Sequence, residues 1–140
     1  MVMPGPQPQT AHPWGDAETP YLELGGDKAV RRLVDTFYDI VDATAPVLRA
    51  MLPKNDGGSR TKLYEFLSGW TGGPPLYVEK RGHPRLRMRH MPFPIGTLEI
   101  EEWLRCMGEA LDASAVDGAL RDFLDVQFHQ SAHWMRNQER

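Results

Sequence analysis

The sequence predicts an all-α fold with four main helices and short connectors. Three observations carry this. Apolar residues recur at spacings of three and four in four stretches set apart by Gly, Pro and Ser, and no segment alternates convincingly like a strand. The 140 residues contain no internal repeat, which suits one domain with a single core. A hydrophobic share of 41% and a charged share of 25% are those of an ordinary globular protein, and a net charge of -3 argues against a general nucleic-acid binder. The single cysteine, Cys106, excludes an internal disulfide framework and a cysteine-only zinc site. It sits among helix-patterned apolar residues and reads as a buried thiol. No apolar run reaches the roughly 18 residues of a membrane span, and the N-terminus lacks the layout of a signal peptide, so a cytoplasmic protein is expected, bound to neither membrane nor nucleic acid.

Residues 1–20 hold five prolines and little apolar surface besides Trp14, and are expected to form a flexible tail that includes His12. Gly25-Gly26 makes a tight turn into the first long helix at Asp27, whose stripe is Val30, Leu33, Val34, Phe37, Tyr38 and Val41. A second stretch, Ser59 to Trp70, places Leu63, Phe66, Leu67 and Trp70 on one stripe with Ser59 as N-cap, and Gly72-Gly73-Pro74-Pro75 stops it. Residues 84–91 read as two short turns bounded by Pro84 and Pro92, with Leu86 and His90 on one face. The third long helix begins near Thr97, with Glu99, Glu101 and Glu102 in its positive N-terminal turns and Ile100, Trp103, Leu104, Met107 and Leu111 inward. The fourth begins at Ser114, with Asp117 three residues on, and its stripe runs through Val116, Leu120, Phe123, Leu124, Phe128 and Met135. Residues 137–140 are left as a C-terminal end outside the domain.

The stretch "RGHPRLRMRH", residues 81–90, holds four arginines in a chain of negative charge and ends in His90. A histidine on a short, proline-bounded helix with an apolar neighbour one turn away suits an axial ligand to a flat apolar cofactor such as haem, and the same pattern also fits a surface or loop-packing histidine. One imidazole nitrogen would bind iron while the other donates a hydrogen bond. Lys80, Arg81, Arg85, Arg87 and Arg89 are five of the sixteen Lys and Arg, and would suit the propionate edge of such a cofactor. A solvated basic face is the alternative reading of the same residues.

Leu24-Gly25-Gly26, Phe37-Tyr38, "YEFLSGWTGGPPLY" at 64–77, "RGHPRLRMRH" at 81–90 and "WLRCM" at 103–107 occur in the order and spacing of a known family. From about residue 20 to 136 the chain resembles a group II truncated haemoglobin. The resemblance implies a two-over-two helical sandwich over residues 21–136 holding a b-type haem. It places His90 at the proximal iron ligand, and Tyr38 and Trp103 at the distal hydrogen-bond donors, where aromatic periodicity alone reads them as core residues. Two donors in a dry pocket would retain dioxygen more than the less polar carbon monoxide, each worth about 1–2 kcal/mol. Leu63, Phe66 and Leu67 fall on the distal pocket. Ser59 falls at the gate position, where a small residue leaves the side entrance open. Arg89 is the first choice for a propionate partner, with Tyr77 and Arg81 weaker candidates and Leu86 a haem contact. One position departs from the family: the residue before Pro53, usually aromatic, is Leu52, or Met51 if an insertion near Pro46 shifts the register. The distal network is therefore expected to reduce to Tyr38 and Trp103.

His129 and His133 lie four apart, a helical metal-pair spacing without an evident third ligand, and read as a surface or partner-facing pair. His83 reads as a cap of its loop. The function expected from the resemblance is reversible binding of dioxygen and of carbon monoxide and nitric oxide, with retention suited to sensing or to nitric oxide or peroxide chemistry rather than bulk transport. The chain carries no flavin or nicotinamide motif, so any such turnover would draw on a separate reductase. A peroxidase-like haem protein is the alternative, and a haem-free helical module binding an acidic partner is the remote one. A monomer or a homodimer are both compatible with the sequence.

Overall fold

Eight helices order the chain in a computed structural model that describes residues 10–139. They are α1 (Pro20–Leu24), α2 (Asp27–Thr44), α3 (Pro46–Met51), α4 (Gly57–Trp70), α5 (Leu76–Arg81), α6 (Leu86–His90), α7 (Thr97–Ala113) and α8 (Gly118–Trp134). The four long ones are the four that periodicity predicts. All six stripe residues of α2 are buried, and the turn before it uses Gly25 at φ 118° and Gly26 at φ 83°, a region costly for any residue with a Cβ. Prolines set the next boundaries. Ala45, ahead of Pro46, leaves the helical region and ends α2, and Leu52, ahead of Pro53, is extended and ends α3.

α2 packs on α4 and on α7, and α7 packs on α8, so the α2/α4 pair lies over the α7/α8 pair. This is the two-over-two sandwich. Leu33 and Phe37 from α2, Leu67 from α4, Met107 from α7, and Leu124 and Phe128 from α8 belong to one core cluster. Cys106 is fully buried in it, and burial raises its thiol pKa, as a structural thiol requires. Two arginines lock the layers at their edges. Arg60 of α4 meets Asp35, Asp39 and Asp42 of α2 as well as Asp56. Arg121 of α8 bonds Asp112 at 2.6 Å, Asp125 at 3.0 Å and the Gly108 carbonyl of α7 at 3.2 Å. Among the described residues no helix is long and apolar enough to cross a membrane.

Several expected boundaries move. α4 starts at Gly57, not at Ser59, because Asp56 pairs with Arg60 one turn on and Asn55 Oδ1 accepts the Gly57 N–H at 3.0 Å. α6 starts at Leu86 rather than Pro84, since Arg85 is left-handed at φ 46°. α8 starts at Gly118 with Asp117 at its N-cap position, while Ser114 closes α7 and Ala115 at φ 57° separates the two helices. The short helices α1, α3 and α5 were expected as connectors; five or six residues are too few to display a stripe.

The flexible tail is corrected over its second half. His12 stacks on Trp14 at 4.8 Å, the Trp14 ring meets Phe123 of α8 edge-on at 5.3 Å, and the indole N–H donates to the Ala17 carbonyl at 2.9 Å. Thr19 Oγ1 caps α1 by accepting the Leu22 N–H at 3.1 Å. One large aromatic side chain, finding apolar surface on α8, anchors the segment. Residues 1–9 of the expected tail lie outside the described residues. Nor does the domain stop at 136, because the amides of Asn137 and Gln138 both donate to the Ile95 carbonyl.

Candidate functional site

His90 ends α6, and its Nδ1 lies 2.6 Å from the carbonyl oxygen of Leu86, one turn earlier. A carbonyl only accepts, so Nδ1 carries the proton. In a neutral imidazole Nε2 then keeps the lone pair. The helix that presents this ring is held by its ends: His83 Nδ1 accepts the Arg85 N–H at 3.0 Å, which caps the loop as expected, and Pro92 and Pro94 prevent continuation. His90 is half-buried and its ring lies 6.5 Å from that of Phe93.

A chain of ring contacts makes an aromatic wall. Phe37 meets Tyr38 at 5.1 Å and Trp103 at 5.2 Å. Trp103 continues to Phe128 at 5.5 Å, Phe128 to Trp70 at 4.9 Å, and Phe66 joins Trp70 at 6.2 Å and Tyr77 at 6.4 Å. Ring contacts thus link Tyr38, Trp103, Phe66 and Tyr77 from four helices into one aromatic chain. Burial, with Asp56 and Asp42 nearby, pushes the Tyr38 hydroxyl up to about 12 against the opposing pull of Arg60, so it stays a neutral O–H donor at physiological pH. Among the described residues no protein group takes the Tyr38 O–H or the Trp103 indole N–H; Tyr38 is buried in the core cluster and Trp103 partly buried against it. Leu63 and Phe66 are half-buried along α4, and Ser59 stands half-buried in its first turn. Leu67, expected beside them, is only 2% exposed and belongs to the core cluster. Leu52 packs on that cluster from the end of α3, and Met51 is half-buried beside it in sequence.

The basic run divides. Arg81 is committed to Glu65, whose Oε1 accepts its Nε–H at 3.0 Å, while Lys80 Nζ lies 3.0 Å from the other carboxylate oxygen. Glu65 is 1% exposed; burial pushes its carboxyl up, and the bonds from Lys80 and Arg81 outweigh this and hold it below the usual carboxylate range. Arg89 is exposed, has no carboxylate partner among the described residues, and lies 6.0 Å from the ring of buried Tyr77. Arg81 approaches the same ring at 5.9 Å. Leu86 is half-buried. His129 and His133 are exposed, with ring centroids 6.5 Å apart, and His129 Nδ1 is bonded to the Asp125 carbonyl.

A family model described as bacterial-like globin matches residues 19–137. The chain is 42% identical over 119 residues to the group 2 truncated hemoglobin YjbI of Bacillus subtilis, covering 85% of this chain and 89% of that one. The chain belongs to the group II truncated haemoglobins. The crystal structure of the group II truncated hemoglobin of Bacillus anthracis superposes with a TM-score of 0.85 at 38% identity, covering 89% of this chain and all of that one. A structure described as the truncated oxygen-avid haemoglobin of Bacillus subtilis superposes at 0.81 with 40% identity, covering 86% of this chain and 100% of that one.

Membership of the truncated haemoglobins carries a haem cofactor and haem-based oxygen binding. The residues fit it: an imidazole with its proton committed to backbone, an apolar aromatic wall, and an uncommitted arginine at the edge. Two features of this truncated haemoglobin escape sequence reading. Glu65 is a buried charge inside the apolar "YEFL", and its only advance signal is an acidic residue between pocket positions. Asn137 donates its carboxamide N–H groups to the carbonyls of His90 and Phe93 and accepts the Ile95 N–H, with no advance signal at all.

Proposed function

We propose that this chain binds haem b through His90 Nε2 and retains dioxygen through the donors Tyr38 and Trp103. The hydrogen bond from His90 Nδ1 to the Leu86 carbonyl carries the reading. It sets the tautomer, leaves Nε2 as the free electron pair a ligand to iron needs, and restrains the ring. The b form is supported because the one cysteine is fully buried, so the chain offers no thiol pair for covalent attachment. When bound, the haem supplies an iron able to take dioxygen, carbon monoxide or nitric oxide.

The chain's own contribution is polarity in a dry pocket. The Tyr38 hydroxyl and the Trp103 indole each offer one N–H or O–H to a polar diatomic, and they discriminate dioxygen from carbon monoxide because the latter accepts hydrogen bonds poorly. Leu52 adds no hydroxyl to this network, the small Ser59 leaves the side entrance open, and Leu63 and Phe66 exclude water. The Bacillus subtilis relative called oxygen-avid supports the same direction. Arg89, and less so Tyr77, would hold a propionate; Arg81 is occupied by Glu65. Slow release suits sensing, or nitric oxide or peroxide chemistry fed by a separate reductase, better than bulk transport.

Absorption spectra of ferric, dithionite-reduced and carbonyl forms, beside His90→Ala, test the reading. We expect a Soret band that moves on reduction and again with carbon monoxide, and that is lost or altered in the variant. An unaltered spectrum in His90→Ala would remove His90 from the iron.

A further inference from the structure

The segment after His90 is poorly able to brace itself. In Met91-Pro92-Phe93-Pro94-Ile95 the two prolines have no N–H, which leaves three backbone donors for five residues. Met91 donates back to Met88 at 3.2 Å and Phe93 to His90 at 3.0 Å, both local bonds. The α6 helix itself has five residues and starts from a left-handed Arg85, too short to hold a fixed direction by its own hydrogen bonds.

The C-terminal segment supplies what is missing. Asn137 Nδ2 donates to the Phe93 carbonyl at 2.8 Å and to the His90 carbonyl at 3.3 Å, and Oδ1 accepts the Ile95 N–H at 2.8 Å. The amide orientation is decided by its partners, since two of them only accept and the third only donates. The backbone adds Asn137 N–H to the Ile95 carbonyl at 2.9 Å and Gln138 N–H to the same oxygen at 3.0 Å. On either side, Arg87 donates to the Arg136 carbonyl at 3.2 Å and Arg136 to Thr97 Oγ1 at 3.1 Å.

We infer that Asn137 is a positioning residue for the proximal ligand, its carboxamide bridging the His90 and Phe93 carbonyls to the Ile95 amide and so setting where the His90 ring stands. The inference rests on the proposed ligation by His90. Its consequence is that the segment following α8 controls how firmly haem is held and how uniformly the imidazole meets it.

The test compares Asn137→Ala and Asn137→Asp with wild type. Asp keeps an acceptor for Ile95 but loses both donations and sets a carboxylate against two carbonyls, so it carries the test should the Ala variant fold poorly. Two readouts are used on the haem-loaded protein: the iron–histidine stretching band in resonance Raman, and the rate of haem transfer to excess apomyoglobin. A third, hydrogen exchange of the Ile95 amide, is read on protein without haem. Both variants are expected to shift and broaden the band and to lose haem about ten-fold faster, and Asn137→Ala, which removes the acceptor, to exchange Ile95 faster. Trp14→Ala, remote on the other end, serves as a control for general destabilisation and should leave the band in place. An unmoved band and unchanged haem loss in both Asn137 variants would overturn the inference alone, as would an equal band shift in Trp14→Ala. A wild-type protein without any iron–histidine band would overturn the His90 reading and the inference with it.

Discussion

At Tyr38 a buried phenol keeps its proton where an exposed one would lose it, and this has two consequences. On the proposed reading its O–H donates throughout the physiological range, so Tyr38→Phe should raise the dioxygen dissociation rate roughly ten-fold, the equivalent of about 1–2 kcal/mol, in stopped-flow displacement by carbon monoxide. An unchanged rate would assign dioxygen retention to Trp103 alone. The same variant reports on stability. Below about pH 10 the phenol is protonated in both states and contributes no pH dependence; as pH rises toward about 12 the unfolded chain ionises first and stability falls. Tyr38→Phe should therefore lose less stability than wild type between pH 10 and 12, by at most about 3 kcal/mol. Glu65 behaves in the opposite sense: its lowered carboxyl favours the fold above the usual carboxylate range and that support fades as pH falls through its folded value. Arg81→Ala leaves the buried carboxylate with only the more exposed Lys80, and should cost about 2 kcal/mol in urea unfolding, with the loss shrinking in acid as Glu65 takes up a proton.

Between elements, the α2/α4 contact concentrates its polar bonds on one side chain. Arg60 bonds three carboxylates spaced along α2 and the one at its own helix start. The α2 carboxylates are substantially exposed, so each pair contributes little; Asp56 is better shielded and contributes more. Arg60→Ala should destabilise by about 1–2 kcal/mol, and high salt should narrow the difference from wild type. A variant as stable as wild type in low salt would show that Arg60 does not set this helix pair. The same side chain accounts for the early start of α4. Asp56 is a weak signal by itself, and gains its place at the helix start only once Arg60 is oriented by α2, eighteen or more residues back in sequence. Ser59 looks the better cap from neighbours alone.

For the molecule as a whole, the edges of the fold matter as much as its core. The arm around Trp14 covers α8 at one end and the Arg136–Gln138 segment closes over the loop after His90 at the other. Trp14→Ala removes an edge-on ring contact and an indole bond, and should lower the unfolding temperature by roughly 2–6 °C in calorimetry, from a loss of about 1–2 kcal/mol. Haem spectra should be unaffected. An unchanged unfolding temperature would return the segment to the flexible tail that its prolines indicate.

Helical periodicity is a local property, written in residues three and four apart, and for that reason the four long helices, the inward stripe of α2 and the spacing of Leu86 to His90 were determined by the sequence alone. The ordered motifs from Gly25-Gly26 to "WLRCM" likewise determined the family. What only the tertiary structure decided is every feature that depends on residues far apart: Arg81 turning to Glu65 sixteen positions earlier, Asn137 reaching His90 across 47, Leu67 sinking into the core while Leu63 stays half-buried, and Trp14 finding α8. The physical reason is the same in each case. A polar or aromatic side chain satisfies itself with whatever surface folding brings to it, and that surface has no representation in the neighbouring letters of the chain.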